Sequence, residues 1–319
     1  MIIVTGGAGF IGSALVRELN NRGITDIIIV DELGNDEKWK NLVNCSYVDY
    51  FEKDIFLELL HEGKFNDIEK IFHLGACSDT TETDASFLIF NNYEYTKSLA
   101  CFAIEKKIKF IYASSAATYG NGDQGYSDNT IEGLRPLNMY GYSKYMFDLW
   151  AHKNNILDKI IGLKYFNIFG PNENHKAEMR SLINKAYYQI KETGKLKLFK
   201  SYKPEYKDGE QKRDFLYVKD AVKMTVFLAD KNAPGGIYNI GSGAANTWND
   251  LAKYIFQAMD LKPKIEYVDM QEHLKNKYQY FTQGNIAKIR DVGYNEPLTL
   301  LKDAVSDYVR NYLAVGEYL

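Results

Sequence analysis

The sequence predicts an α/β fold, with a parallel sheet covered by helices on both faces and a smaller C-terminal lobe. Three observations lead there. Short apolar runs rich in β-branched residues alternate with helix-length stretches through the first half. A glycine-rich turn follows the first of those runs. The second half keeps the alternation but interrupts it with polar segments, as a second and smaller α/β unit would.

The runs "IIV" (2–4), "DIIIVD" (26–31), "KIFHLGA" (70–76) and "KFIYASS" (109–115) are bounded by Gly, Asp or Ser and read as buried strands. Stretches 11–22 and 86–107 lie between them at helix length. Further on, "IIGLKYFNIFG" (160–170) and "GIYNIG" (236–241) are again strand-like, whereas "KSYKPEYKDGEQKRDF" (200–215) is polar and irregular. In "NTWNDLAKYIFQAM", Thr247 and Asp250 fit a capping box, and Leu251, Ile255, Ala258 and Met259 share one helical face.

"VTGGAGFIG" places Gly6, Gly9 and Gly12 between the first strand and the first helix. Glycines there allow a tight turn, let backbone approach a pyrophosphate and bring helix against strand, while the helix N-terminus favours an anion. Asp31 ends the next strand, 19 residues after Gly12, where an acid accepts from a ribose hydroxyl. The expected fold is therefore a Rossmann-type doubly wound sheet with a smaller C-terminal α/β substrate lobe. Residues 1–166 form the dinucleotide-binding domain, a segment near 215–245 returns to it, and 167–319 make mainly the substrate-binding lobe. Asp31 favours NAD, while Lys38 and Lys53 are placed to pair with the 2′-phosphate of NADP, so local chemistry leaves the coenzyme open.

"NMYGYSKYMFDLW" carries Tyr140 and Lys144 four residues apart, on one face of a helix. An ammonium beside a phenol stabilises phenolate and lowers its pKa from about 10 toward working pH, as an acid/base needs. Tyr142 lies off that face. "YASSAATYG" ends a strand upstream with Ser114 and Ser115, and Ser115 is placed to hydrogen-bond a reacting oxygen.

These three features together resemble the extended short-chain dehydrogenase/reductase superfamily. The order of "MIIVTGGAGFIGS", "GACSDTTETD", "YASSAATYG", "PLNMYGYSK", "YFNIFGPNENHK", "KRDFLYV" and "KYQYFTQ" further resembles the ADP-L-glycero-D-manno-heptose 6-epimerase family, over nearly the entire chain. The resemblance implies epimerisation at the exocyclic C6″ of ADP-heptose for the lipopolysaccharide inner core, by oxidation to a ketone and re-reduction on the opposite face. It assigns Tyr140 and Lys176 as the two acid/base residues, supported by Lys144 and Ser115. Coenzyme positions carried over are Phe10, Ile11, Asp31, Glu32, Lys38, Lys53, Leu74, Gly75, Ala76, Cys77, Ser78, Asn91, Lys144, Ile168 and Lys176. Lys38 and Lys53 fall on family positions that go with NADP.

Substrate positions are Asn167, Phe199, Lys200, Ser201, Arg213 and Tyr278, with Ser78, Thr80 and Thr81 offering hydroxyls and Arg213 suited to the diphosphate. Glu178 and Lys185 stand where the family often carries a serine and a histidine, which changes sugar contacts rather than chemistry. His175 and Lys144 are candidates for lowering the pKa of Lys176, and Glu178 is either a second tuning group or turned away. The resemblance also implies a homo-oligomer, with pentamers and larger rings among family members. A UDP-hexose 4-epimerase, needing Tyr140 but no second base, and a non-catalytic NAD(P)-binding sensor are the alternatives. "SAAT" at 115–118 lacks the acidic residues a 4,6-dehydratase uses.

The net charge of −3 argues against nucleic acid or an anionic membrane as the main partner, while leaving room for a local basic site for a phosphorylated ligand. No apolar run approaches the roughly 20 residues of a membrane span. Cys45, Cys77 and Cys101 form no C-x-x-C pair, so neither a disulfide framework nor a metal site is expected. No basic leader precedes "MIIVTGG", and the expected location is the cytoplasm.

Overall fold

The computed structural model describes residues 1–230, 233–275 and 278–319; Lys277, which begins "KYQYFTQ", lies outside them. Its strands are β1 (Ile2–Thr5), β2 (Ile27–Asp31), β3 (Asp49–Glu52), β4 (Lys70–His73), β5 (Lys109–Ser115), β6 (Ile161–Tyr165), β7 (Asn167–Phe169), β8 (Leu196–Phe199), β9 (Lys212–Tyr217), β10 (Gly236–Ile240), β11 (Ala245–Thr247) and β12 (Ile265–Val268). Seven of them make one sheet in the order β10-β6-β5-β4-β1-β2-β3. Every pair in it is parallel.

Strand periodicity explains why this sheet is apolar on both faces. Ile2 and Val4 point into one core with Ile27, Ile29, Phe72 and Ile111, while Ile3 points to the other with Ile28, Val30, Ile71 and Phe110. Each such side chain contributes about 1.5–3 kcal/mol when fully buried. Helices α1 (Phe10–Asn21), α2 (Lys53–His61), α3 (Ala85–Ile89), α4 (Tyr95–Lys106), α5 (Met139–Lys153), α6 (Leu182–Thr193), α7 (Val218–Asp230) and α8 (Trp248–Ala258) follow. The stretch 86–107 is not one α-helix, because a π turn over Phe90–Glu94 joins α3 to α4.

Strand order reverses between β1 and β4, which opens a crevice at the sheet's C-terminal edge, the place where such folds bind ligands. Thr5 and His73 close the two strands with a 2.6 Å hydrogen bond. Burial pushes His73 down to about 3, so its ring stays neutral.

Two smaller sheets, β11-β9-β7 and β12-β8, lie beyond. The run 160–170 spans two of these sheets: Phe166 donates to Ile240 and the chain then leaves β6 for β7. Residues 212–215, read above as irregular, open β9. Their charge hid them, since Arg213 and Asp214 are buried polar residues inside a strand. Asp214 is satisfied there by Ser242, Gly243 and Gly284. α8 is capped by Thr247, whose side chain accepts from the Asp250 amide.

Candidate active site

Three cavities run in series along the crevice. The first, about 290 Å³, is lined by Glu32, Lys38, Lys53 and Asn91. The second, about 510 Å³, holds the glycine turn, Leu74 to Ser78, Ser115, Tyr140, Lys144, Ile168 and Lys176. The third, about 320 Å³, contains Thr80, Asn167, Arg213 and Tyr278, and shares Ser115, Tyr140, Tyr165 and Phe166 with the second. Tyr140 and Ser115 therefore stand where the two larger cavities meet.

The glycine turn fits a dinucleotide phosphate. A Cβ on Gly12 would lie 1.9 Å from the Gly6 carbonyl, and one on Gly6, at φ +68°, would lie 2.5 Å from the Gly75 nitrogen. α1 starts at Phe10 with no side-chain cap and no acid in its first turn, leaving amides for an anion. Asp31 departs from its expected ribose role. Its Oδ2 accepts from the Ala8 and Gly9 amides at 2.8 and 3.1 Å, and its Oδ1 from the Glu32 amide and Lys38 Nζ at 2.8 and 3.1 Å. Oδ2 thus shapes the turn, and Oδ1 holds Glu32 and Lys38 beside it. Lys53 pairs with Asp54 at 3.2 Å and reaches Glu32 at 3.8 Å.

α5 begins with Asn138 accepting from the Gly141 amide, which places Tyr140 and Lys144 on its inward face. Tyr142 points outward and is exposed. Burial lowers Lys144 to about 8, against the opposing carboxylate of Asp148, and its Nζ donates to the Ala113 carbonyl at 2.9 Å. Tyr140 does not follow the expected lowering. Burial of its phenol raises it, and a hydrogen bond with Ser115 offsets only part of that. Phenolate loses more solvation there than its neighbours return.

Lys176 enters from a turn built as a short 3₁₀ segment, Asn174–Met179, kinked at Ala177. Its Nζ lies 5.5 Å from the Phe10 ring, at the start of α1. Burial lowers its pKa and the Glu173 carboxylate opposes that. Neither Lys144 nor His175 is the group that tunes it. His175 turns to the Asn41 amide at 3.2 Å, and burial, aided by Lys38, holds it down to about 4. Glu178 faces solvent, and Lys185 donates to its carbonyl.

Several expected contacts line none of these three cavities: Glu178, Lys185, Phe199, Lys200 and Ser201. Lys200 pairs with Asp269 and the Ser201 hydroxyl donates to the Lys203 carbonyl. Phe199 meets Tyr278 edge-on. The Thr81 hydroxyl bonds Asp79. Arg213 lies over Trp248 and Tyr278, at 5.7 and 5.3 Å from their ring centroids, and Trp248 Nε1 donates to the Tyr278 hydroxyl.

Sequence reasoning passed over four supporting groups: Asn92, Asp148, Lys164 and Glu173. Asn92, beside Asn91 on the π turn, grips both the N–H and C=O of Cys77 and donates to Ser143. Asp148 continues the Tyr140–Lys144 row by another four residues, a spacing legible in the helix. It accepts from Tyr112 and Ser114 and pairs with buried Lys164 at 3.6 Å. Glu173, the fourth, gave no sequence signal.

Residues 2–241 match the NAD dependent epimerase/dehydratase family. An ADP-L-glycero-D-manno-heptose-6-epimerase of Nitratidesulfovibrio vulgaris is 52% identical over 99% of both chains. One of Fusobacterium nucleatum is 49% identical over 98% of both. The crystal structure of the Helicobacter pylori ADP-L-glycero-D-manno-heptose-6-epimerase superimposes with a TM-score of 0.80 at 28% identity, covering 97% of this chain and 95% of that one.

Proposed function

The chain belongs to the NAD dependent epimerase/dehydratase family, and from that premise we propose that it interconverts ADP-D-glycero-D-manno-heptose and ADP-L-glycero-D-manno-heptose at C6″. One observation carries the reading beyond the family. Near full-length identity to enzymes of that name coincides with Tyr140 and Lys176, on separate elements, lining one cavity.

A nicotinamide coenzyme, once bound, supplies the site that accepts hydride from C6″ and returns it. The chain's own residues manage the proton and the geometry. C6″ is exocyclic, so a ketone there turns over to present its other face, which carries its oxygen to a new place. One fixed acid/base cannot serve both placements. In one direction Lys176 takes the C6″ hydroxyl proton and Tyr140 returns one to the ketone oxygen; in the other the two exchange roles. Burial keeps the Tyr140 proton on at neutral pH and brings the Lys176 proton closer to release. Ser115 orients the oxygen, Lys144 holds the nicotinamide ribose, and Arg213 faces the diphosphate.

The coenzyme is NADP in this reading. The contacts of Asp31 occupy both of its oxygens, and Lys38, which it holds at the cavity wall, and Lys53 both line the first cavity as cations for a 2′-phosphate. The remaining features are proposed with it: residues 1–166 plus 215–245 as the coenzyme domain, 167–319 mainly for substrate, a homo-oligomer in the cytoplasm, and lipopolysaccharide core synthesis. No described helix is long and apolar enough to cross a membrane.

Proton NMR of ADP-D-glycero-D-manno-heptose incubated with the enzyme tests the activity. The expected result is a second set of C6″ signals approaching equilibrium. No change there, together with turnover of UDP-galactose, would defeat the proposal. Denaturing the purified protein and identifying the released nucleotide tests NADP against NAD.

A further inference from the structure

We infer that Glu173 is a positioning residue for Lys176, and that it links the second acid/base to the C-terminal helix through Tyr308. The inference rests on the reading of Lys176 as an acid/base.

Glu173 is 1% exposed, a burial that carboxylates tolerate only when paired or hydrogen-bonded. Its Oε2 accepts from the Ser181 amide and its Oε1 from the Ser181 hydroxyl, both at 2.6 Å. Ser181 is the N-cap of α6. The Glu173 carbonyl accepts the Lys176 amide at 3.0 Å. One residue thus ties the entry of the turn to its exit, with Lys176 in between.

The turn needs such a tie. Ala177, next to Lys176, sits at φ +45° and ψ −119°, and Asn172 at φ +75°. A β-carbon in that conformation is strained and persists only where the surroundings impose it. The Glu173–Ser181 bonds impose it here, and they aim the Lys176 side chain toward Phe10 at the coenzyme groove.

Tyr308 supplies the outer link. It lies on the helix Leu301–Tyr308, is buried, and its hydroxyl accepts from the Asn184 side chain at 2.8 Å, where the phenol also favours the ionised form of Glu173. It lines none of the three cavities and reaches the turn from behind, beside Glu173 and through Asn184, whose side chain also donates to Asn174 at 2.8 Å. Donors from Ser181 and Tyr308 favour the carboxylate against the penalty of burial. The charged and titratable groups facing this cluster are Lys176 and His175 on the turn, Arg180, which donates to the Ala177 carbonyl and the Asn184 side chain, and Tyr308 on the C-terminal helix, with Tyr188 on α6 beyond Tyr308.

The test uses the full-length enzyme with Glu173→Gln, Tyr308→Phe and Lys176→Met, and the pH profile of C6″ epimerisation. Glu173→Gln keeps an acceptor for Ser181 but removes the charge that holds the Lys176 proton on. Lys176 then loses its proton at lower pH. The profile limb belonging to Lys176 therefore moves to lower pH, whether it acts as acid or base. Tenfold or greater loss of kcat with KM within twofold is expected alongside. Tyr308→Phe, which keeps the ring packed, gives a smaller shift in the same direction and carries the test alone if Glu173→Gln does not fold. A wild-type profile and kcat in every folded variant of Glu173 and Tyr308, with Lys176→Met inactive, overturns the inference. Wild-type turnover in Lys176→Met overturns instead the acid/base reading beneath it.

Discussion

The two walls that carry the proposed acid/base residues are built in opposite ways. Tyr140 stands on α5, where helical spacing alone aligns it with Lys144 and Asp148, and a local cap at Asn138 starts the helix. Lys176 stands on an irregular turn that holds Ala177 at positive φ and is fastened by Glu173, Ser181 and Tyr308. The difference teaches that a regular element positions a side chain through its own hydrogen bonds. A loop does so only by borrowing partners from distant parts of the chain.

The strongest way to break this comparison is to silence each wall in turn. Tyr140→Phe and Lys176→Met should each lower kcat for epimerisation by about 10²–10⁴-fold, the range for a lost general acid/base. Coenzyme content of the purified protein should stay within twofold for Tyr140→Phe. A loss below tenfold for Lys176→Met would leave the helix wall acting alone.

Next in size is a change that both walls should feel equally. Gly12→Ala puts a Cβ 1.9 Å from the Gly6 carbonyl and should cut copurifying nucleotide by about tenfold or more, roughly 1.4 kcal/mol of affinity. The released nucleotide, quantified after denaturation, measures it.

Lys144 sharpens the electrostatic side of the contrast. Its pKa in the folded chain, about 8, lies below the ordinary 10.5, so the unfolded chain binds the extra proton between those values. Its contribution to stability is thus present above 10.5, falls away through that window and is lost below about 8. Urea unfolding of wild type against Lys144→Met across pH 8–10.5 should show a steeper rise with pH in wild type, the other buried lysines rising alike in both. An equal rise in both would place the titration elsewhere.

The smallest effect is expected at Ala177→Gly, which removes the Cβ from a positive-φ position. Stability should rise by about 1 kcal/mol, seen as a higher Tm, while kcat falls a few-fold as the turn loosens around Lys176. A rise in both would mean that the strained turn does not position the lysine.

Much of the coenzyme half was legible in the sequence because its signals are local. The glycine spacing, the β-branched runs and the Tyr140–Lys144 interval each fit inside one element or one turn. Reading failed where buried polar groups imitate a surface. "KRD" at 212–214 looks like a solvated loop but begins β9, with Asp214 holding Ser242, Gly243 and Gly284. Asp31 was legible as a groove residue but not as the anchor of the Ala8 and Gly9 amides. The expected fall in the Tyr140 pKa failed for a related reason: spacing reports which charges lie nearby but not how much water has been removed.

By itself the sequence determined the parallel sheet, the phosphate-binding turn and the face that presents Tyr140, because periodicity and glycine sterics act over a few residues. Only the tertiary structure decided that the Glu173 carboxylate opposes the burial that lowers Lys176, that Glu178 turns to solvent, and that Tyr308 backs the turn through Asn184. Those relations join residues far apart in the chain through burial and hydrogen bonding, and both come into being only when the chain folds.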